Sequence, residues 1–197
     1  MNRRLLLAFM VVACAVDAAP ANAIISFNPA PNAPNLPTVT LNGSAQTDTA
    51  TMPDWGVQQT LSLSGWNVTV AGDTSSGKSA VFKQYCPNAT CGSDTGPGYV
   101  SGGYTLPSAS LVLDSSGAGW SGPGGTSPTH LCNSGCALDT TTPVKIANMG
   151  TLGVLGTWTA TGYSSTSLAA TVPTTIRVLQ SNEVYRVDLV WTLNSGP

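Results

Sequence analysis

The sequence predicts an all-β fold, an antiparallel sandwich or barrel with two small loops that are each closed by a disulfide. From residue 38 to the C-terminus, short runs rich in β-branched and aromatic residues alternate with turns rich in Gly, Ser, Asn and Pro. No segment keeps the 3.6-residue apolar period of an amphipathic helix. Four cysteines fall in two closely spaced pairs, Cys86-x4-Cys91 and Cys132-x3-Cys136, a pattern typical of disulfides in exported proteins.

Eleven segments have this β-type composition, and the last of them shows the clearest two-residue period. Such a period places alternate side chains on opposite faces of a strand. Arg186, Asp188 and Thr192 lie on one face of this last strand. The opposite, apolar face holds Tyr185, Val187, Leu189, Trp191 and Leu193. The predicted strands cover residues 38–42, 59–63, 66–70, 79–85, 99–106, 110–114, 144–148, 155–161, 167–172, 175–180 and 183–193.

The N-terminus has the three regions of a secretory signal peptide. A basic start, "MNRR", precedes an apolar run (5–16), and "ANA" (21–23) supplies a small-x-small cleavage site. The segment "VVAC" (11–14) also resembles a lipobox, so acylation of Cys14 is an alternative to plain export. We therefore predict an exported chain, at the cell surface or extracellular, with no transmembrane segment.

Residues 24–37 contain four prolines, and this composition predicts an extended linker. The chain then divides into a signal peptide (1–23), the Pro/Asn-rich linker (24–37) and a single β domain (38–197). That last stretch is long enough to bury one substantial core.

Charged residues are scarce, at 8% of the chain, whereas hydrophobic residues make up 42%. The chain has seven basic and nine acidic residues, and loss of Arg3, Arg4 and Asp17 with the signal peptide leaves five and eight. A domain with this small negative charge has no basic patch to neutralise phosphates. The composition therefore predicts a globular exported domain that does not bind nucleic acid.

The simplest pairing of the cysteines joins Cys86 to Cys91 and Cys132 to Cys136. Each bond would close a loop of five or six residues and stabilise the fold by about 2 kcal/mol through chain entropy. Pairings between the two loops are an open alternative, and so is a zinc site that includes His130. Because exported thiols usually oxidise and the chain has a single histidine, we predict two disulfides, no metal and no other cofactor.

The segment "GDTSSGKS" (72–79) matches the letter pattern of a nucleotide-binding P-loop. A P-loop leads into a helix, whereas the residues after this segment favour a strand and Pro87 then stops any helix. We therefore predict a turn between two antiparallel strands, 66–70 and 79–85, and no nucleotide ligand.

Residues for catalysis are few. His130, the single histidine, lies beside a predicted disulfide and has no serine-nucleophile motif near it. Glu183 is the only glutamate, and the aspartates are scattered, so no carboxylate pair for glycosidic hydrolysis stands out. We predict that the chain is not an enzyme; an envelope hydrolase that uses His130 or an Asp/Glu183 pair is the alternative.

The five tryptophans fall into two groups. Trp66 and Trp191 belong to apolar stripes at strand period, which predicts that both are in the core. Trp55, Trp120 and Trp158 have polar or turn-like neighbours in sequence, so we expect these three to be partly exposed.

Two segments together, "GWNVTV" (65–70) and the terminal "YRVDLVWTLNSGP" (185–197), resemble the WxL-type surface domain of bacterial cell-wall proteins. That family pairs a Gly-Trp-x-Val-x-Val strand with a closing strand that ends in Trp-Thr-Leu near a final proline. The first strand here has Trp-Asn-Val instead of Trp-x-Leu, and the four cysteines are not typical of the family. The residues that fit the family's ending are Tyr185, Trp191, Thr192, Leu193 and Pro197.

The resemblance implies an all-β exported domain that attaches without a covalent bond to peptidoglycan or an associated wall polymer, in some cases beside another surface protein. The predicted function is therefore non-catalytic attachment to the bacterial envelope. A structural or adhesive surface subunit that binds protein partners is the alternative. Because aromatic rings stack on the apolar faces of sugars, the candidate ligand-binding residues are Trp66, Trp191, Leu193, Trp55 and Trp158.

Overall fold

The computed structural model describes residues 4–5, 25–61, 64–88, 90–91, 94–95, 97–151, 154–180 and 182–197. Within these ranges the chain forms antiparallel sheets and no helix, which confirms the all-β class. The described residues therefore contain no helix that could cross a membrane. The strands are β1 (Arg4–Leu5), β2 (Ile25–Phe27), β3 (Val39–Thr40), β4 (Gln46–Ala50), β5 (Trp55–Gln59), β6 (Trp66–Gly72), β7 (Lys83–Cys86), β8 (Thr90–Cys91), β9 (Asp94–Thr95), β10 (Gly98–Tyr99), β11 (Leu111–Leu113), β12 (Gly119–Ser121), β13 (Thr129–His130), β14 (Cys136–Ala137), β15 (Val144–Met149), β16 (Gly156–Thr161), β17 (Leu168–Val172), β18 (Val184–Arg186) and β19 (Leu189–Ser195).

Four sheets build the domain, and each is named here by one of its strands. The β5 sheet has the order β12-β16-β5-β2, and the β6 sheet has the order β13-β15-β6-β19. The β17 sheet is β14-β11-β17-β4, and the β7 sheet is β10-β7-β18. Two further pairs, β1 with β3 and β8 with β9, lie apart from these sheets.

The β5 and β6 sheets face each other across an aromatic core. Trp55 of the β5 sheet meets Trp191 of the β6 sheet, with ring centroids 6.1 Å apart. Trp120 and Trp66 make a second contact between the same two sheets, at 5.8 Å. Side chains from two inner faces that interdigitate in this way are typical of a β-sandwich.

The predicted linker is wrong for the residues that the structure describes, because they are part of the domain. β2 pairs with β5, from Ile25 opposite Gln59 to Phe27 opposite Val57. The prolines that follow keep the chain extended, and Leu36 is buried in the core. Residues 25–37 therefore belong to the β domain together with the residues from 38 onward.

Most of the predicted signal peptide lies outside the described residues. Within it the structure describes the two residues of β1, which pair with β3 in the register Arg4 to Thr40. Residues 1–3 and 6–23, and with them the alternative acylation site Cys14, are not described.

The predicted terminal strand, 183–193, is two strands in two sheets. β18 pairs with β7, whereas β19 pairs along its whole length with β6. The residues between them turn away because the backbone of Asp188 bonds elsewhere: its N–H donates to the carbonyl of Ser79 at 2.8 Å. The residues predicted on the apolar face from Tyr185 to Trp191 are buried. Arg186 and Asp188, predicted on the opposite face, are buried as well, so burial does not distinguish the two faces in this segment.

The "GDTSSGKS" segment is a connection between sheets and not the turn of a hairpin. β6 pairs with β15 and β19, and β7 pairs with β10 and β18, so the two strands that flank the segment do not pair. The carboxylate of Asp188 holds the far end of the segment: it accepts the N–H of Ser79 at 3.2 Å and lies 3.6 Å from Nζ of Lys78. This buried acceptor, instead of a phosphate, fixes the segment.

Both predicted disulfides are confirmed. Cys86 is joined to Cys91, which connects β7 to β8. Cys132 is joined to Cys136 in the loop between β13 and β14. The zinc alternative is therefore wrong, because the sulfur atoms that would have served as thiolate ligands are bonded to each other.

Candidate functional site

The aromatic core continues to the surface at one place, where Trp120 meets His130. Trp120 is on β12, the edge strand of the β5 sheet, and His130 is on β13, the edge strand of the β6 sheet. Their rings are nearly parallel, at 19°, with centroids 4.8 Å apart. The two sheet edges therefore meet in a stacked pair of rings.

A small residue makes room for this arrangement. In the β5 sheet, Ala160 of the central strand β16 lies opposite Trp120 on one side and opposite Trp55 on the other. Because Ala160 has no side chain beyond Cβ, the two indoles close over it, with centroids 5.3 Å apart in an edge-to-face contact. His130 in turn lies opposite Ala147 of β15, which gives the imidazole the same kind of space.

Tyr163 supports the inner side of the cluster. Its hydroxyl accepts the indole N–H of Trp55 at 2.9 Å, and its ring meets that of His130 edge to face at 5.8 Å. Burial raises the pKa of Tyr163 to about 12, so the hydroxyl is protonated at neutral pH. The cluster is therefore uncharged at this position.

All five predicted ligand-binding residues lie in the hydrophobic core or pack against it. Trp66 and Trp191 are buried, as predicted. The expected partial exposure of Trp55 and Trp158 is wrong, because both side chains are fully buried. A fully enclosed ring has no free face for a sugar. Leu193 is half-buried and packs against the core.

Trp158 is enclosed by Val154 and by the glycine-rich turn at Gly122. Its indole N–H donates to the carbonyl of Val154 at 3.2 Å. Gly122 lies so close to the ring that a Cβ on it would come within 2.2 Å of Cε3 of Trp158. The glycine-rich turn after β12 thus covers the ring, which a side chain there would prevent.

Trp120 is the tryptophan whose predicted partial exposure is confirmed. It borders an open cleft of about 510 Å³, which we call the Trp120 cleft. Trp120 is not one of the five predicted ligand-binding residues, and its neighbours in the sequence, "GAGWSG", show no strand period. The lining residues with polar or aromatic side chains are Ser115, Ser116, Trp120, Thr129, His130 and Asn133.

The second disulfide fixes one wall of the Trp120 cleft. Asn133 lies within the loop that Cys132 and Cys136 close. Its amide oxygen accepts the Ser115 hydroxyl at 3.2 Å, and its Nδ2 donates to the carbonyl of His130 at 3.4 Å. The wall thus presents hydroxyl and amide groups in fixed positions.

His130 contributes an uncharged ring. It is largely buried, and burial lowers its pKa below the ordinary value of 6.5. Its Nε2 lies 3.4 Å from the carbonyl oxygen of Gly119. An imidazole that is neutral at pH 7, beside an indole face and several hydroxyl groups, suits a neutral polyhydroxy ligand better than an ion.

His130 and Glu183, the two residues named for the alternative hydrolase, each contact groups elsewhere in the fold. The contacts of His130 are the rings of Trp120 and Tyr163 and the carbonyl of Gly119. Glu183 is buried, and its carboxylate accepts the backbone N–H of Gln180 at 3.0 Å. The structure therefore shows a packing role for the first residue and a turn-stabilising role for the second.

No protein family, curated protein or solved structure matches this chain. The resemblance to the WxL-type domain therefore stays a prediction. The two segments on which it rests are neighbours in the β6 sheet, where Trp66 lies opposite Ser195 and Val70 lies opposite Trp191. Beyond the strands, the side chain of Asn67 donates to the carbonyl of Gly196 at 2.8 Å, so the last residues are tied to the first motif.

Proposed function

We propose that this chain is a non-catalytic domain of the bacterial envelope that binds peptidoglycan, and that the Trp120 cleft takes its glycan strand. The observation that carries the proposal is the half-buried indole of Trp120, backed by the neutral ring of His130 in an open cleft. Clefts of this size with an aromatic wall and a few fixed polar groups are typical ligand sites.

The polar groups around the ring fit a saccharide. Ser116, Thr129 and Asn133 are exposed at the cleft and supply hydroxyl and amide groups that can donate and accept hydrogen bonds. Sugar hydroxyls need both kinds of partner, while the apolar face of a pyranose needs a flat, uncharged surface. No Lys, Arg, Asp or Glu is among the described residues that line the cleft, which favours a neutral glycan over a charged polymer.

The disulfides support an exported location for this function. Disulfides form and persist in oxidising compartments such as the bacterial periplasm or the cell exterior. The chain carries two of them, and one holds the wall of the proposed site.

Co-sedimentation with purified peptidoglycan sacculi tests the proposal. Thr129 is exposed on β13 at the cleft, so we expect Thr129→Arg to block the site and reduce binding by about tenfold or more without unfolding the domain. Thr47 is an exposed threonine on β4 that does not line the cleft, and Thr47→Arg serves as the matched control. Absence of sacculus binding by the unaltered protein at micromolar concentration would overturn the proposal.

Two other results would identify the alternatives. Capture of a second surface protein, with no affinity for sacculi, would indicate a structural or adhesive subunit. Release of soluble wall fragments by the purified protein, lost in His130→Ala or Glu183→Gln, would indicate a hydrolase.

A further inference from the structure

A second cleft, of about 440 Å³, lies at the β7 sheet and is named here the Tyr104 cleft. The ring of Tyr104 and the side chain of Arg177 flank it, and Pro107, Pro173, Ile176 and Tyr185 also line it. It shares none of its lining residues with the Trp120 cleft. Tyr104 is half exposed, so a large aromatic surface faces solvent here.

Both flanks of the Tyr104 cleft are held by hydrogen bonds. The backbone carbonyl of Tyr104 accepts the N–H of Gln84 at 2.8 Å, and its N–H donates to the side-chain oxygen of Gln84 at 3.2 Å. On the other flank, the hydroxyl of Tyr185 donates to the backbone carbonyl of Arg177 at 3.1 Å. Because Gln84 and Tyr185 are opposite each other in the β7 sheet, the two flanks keep a fixed separation.

Arg177 is the charged group of this cleft. Its guanidinium lies over the exposed ring of Tyr104, 5.6 Å from the ring centre. Among the described residues it forms no ion pair with a carboxylate. Arg177 is exposed to solvent and lines the cleft, so its guanidinium is accessible to a ligand there.

The same pair of residue types occurs once more in the β7 sheet, and there it is complete. The guanidinium of Arg186 lies 4.6 Å from the ring centre of Tyr85 and binds the carboxylate of Asp188, with Nη2 to Oδ1 at 2.6 Å and Nε to Oδ1 at 3.1 Å. Tyr99 also donates its hydroxyl to this carboxylate. Arg186 is thus stacked on Tyr85 and paired with a carboxylate of the protein. Arg177 is stacked on Tyr104 in the same way, and a ligand could supply its carboxylate.

We infer that the Tyr104 cleft binds the terminal carboxylate of a short peptide through Arg177. The guanidinium fork matches a carboxylate in geometry and charge, and it lies over the ring of Tyr104. The walls contributed by Pro107, Pro173 and Ile176 suit small aliphatic side chains next to that carboxylate. The inference deepens the proposed function and rests on it for the source of the ligand, because the peptide stems of peptidoglycan end in free carboxylates.

Titration calorimetry or NMR titration with alanyl-alanine tests the inference, with alanyl-alanine amide as the probe that lacks the charge. We expect the acid to bind and the amide to bind at least about tenfold more weakly, because a charge-assisted hydrogen-bonded pair is lost. Arg177→Gln should weaken binding of the acid by a similar factor, and Arg177→Lys should recover part of it because the charge returns without the fork. Lys145→Gln is the matched control, since Lys145 is an exposed base outside the cleft.

Equal binding of acid and amide, or equal effects of Arg177→Gln and Lys145→Gln, would overturn the inference. Preference for a uronic-acid disaccharide over the dipeptide would also overturn it. Sacculus co-sedimentation of the same variants separates this inference from the proposed function. If sacculi bind but the dipeptide does not, the inference fails alone; if the dipeptide binds through Arg177 but sacculi do not, the proposed function fails alone.

Discussion

The imidazole of His130 lies against the indole of Trp120, with ring centroids 4.8 Å apart and planes 19° from parallel. The pair joins the edge strands of two sheets that also meet through the tryptophan rings of the core. It therefore has two roles in the molecule. It closes the aromatic core at one end, and it forms the back wall of the cleft at which we propose that a glycan binds.

The burial of His130 predicts a pH-dependent stability. Because its folded-state pKa lies below the ordinary 6.5, the unfolded chain takes up a proton at a higher pH than the folded one. The free energy of unfolding should therefore fall as the pH drops from above 6.5 to the folded-state pKa of His130. Below that pKa the stability contributed by the neutral imidazole is completely lost. We expect His130→Gln to lack this component when urea unfolding is measured at several pH values between about 8 and 5.

Two buried aspartates change the free energy of unfolding with pH in the opposite direction, so their effect must be distinguished from that of His130. Burial raises the pKa values of Asp48 and Asp139 above 3.8, so each favours the folded state as the pH falls through its folded pKa toward 3.8. Both are present in the unaltered protein and in His130→Gln. The difference between the two proteins thus isolates His130, and identical pH profiles would contradict the prediction.

Ala160 predicts the consequence of overfilling the aromatic core. A larger side chain at this position would occupy the space where Trp55 and Trp120 meet. We expect Ala160→Leu to lower the free energy of unfolding by about 1–3 kcal/mol, as overpacked cores usually do. Thr159→Leu is the control, because Thr159 is the next residue on β16 and faces the other side of the sheet. Equal losses from the two substitutions in urea unfolding would show that the ring contact over Ala160 does not matter.

Gly122 makes a similar prediction for Trp158. A methyl group at Gly122 would collide with the indole ring, whereas a methyl group at Gly119, three residues earlier, would meet nothing within 4 Å. Neither glycine has a positive φ, so the comparison reports contact and not backbone strain. We expect Gly122→Ala to lower the thermal midpoint and the free energy of unfolding, by about 1–3 kcal/mol, while Gly119→Ala stays close to the unaltered protein. The prediction fails if the alanines have the same effect.

The parts of the fold that were predictable from the sequence depend on neighbours along the chain. The apolar residues between Tyr185 and Trp191 and the spacing of each cysteine pair are local signals, and the structure confirms the burial of the former and the disulfides of the latter. The break after Arg186 was not predictable, because it depends on a hydrogen bond between Asp188 and Ser79, more than a hundred residues away in sequence.

The site was less predictable for the same reason. Trp55 has polar neighbours in sequence, yet Ala160 of β16 and Tyr163, just after that strand, pack against it. Trp120 and His130 are in segments without strand period, and their pairing depends on which sheet edges come together. The sequence contains five tryptophans and few charged residues, but this composition does not indicate which ring reaches the surface.

Asp188 predicts a large cost when its charge is removed. It is fully buried, and its carboxylate binds Arg186, Ser79 and Tyr99. Asp188→Asn leaves the guanidinium of Arg186 buried without its counter-charge, so we expect a loss of about 3–5 kcal/mol. The control Asp114→Asn changes a more exposed carboxylate, which accepts one backbone N–H from Ser116 at 2.8 Å, and should cost far less.

A double variant tests the physical reason for that cost. If the unpaired guanidinium is the cause, then Arg186→Met combined with Asp188→Leu should be more stable than Asp188→Asn alone, because neither charge remains buried. A double variant as unstable as the single one would assign the cost to the other partners of the carboxylate.

The two disulfides predict different effects on stability and on binding. Replacement of either pair by serines should reduce the free energy of unfolding by about 2 kcal/mol, because each bond closes a short loop of the unfolded chain. The Cys132–Cys136 loop also positions Asn133 against Ser115 and the His130 carbonyl in the wall of the Trp120 cleft. Neither Cys86 nor Cys91 lines that cleft. We therefore expect loss of the Cys132–Cys136 bond to weaken sacculus binding as well, whereas loss of the Cys86–Cys91 bond should leave binding unchanged at temperatures where the domain is folded. Co-sedimentation measured beside urea unfolding makes the comparison, and a loss of binding that simply follows stability in both variants would contradict a role for the Asn133 wall.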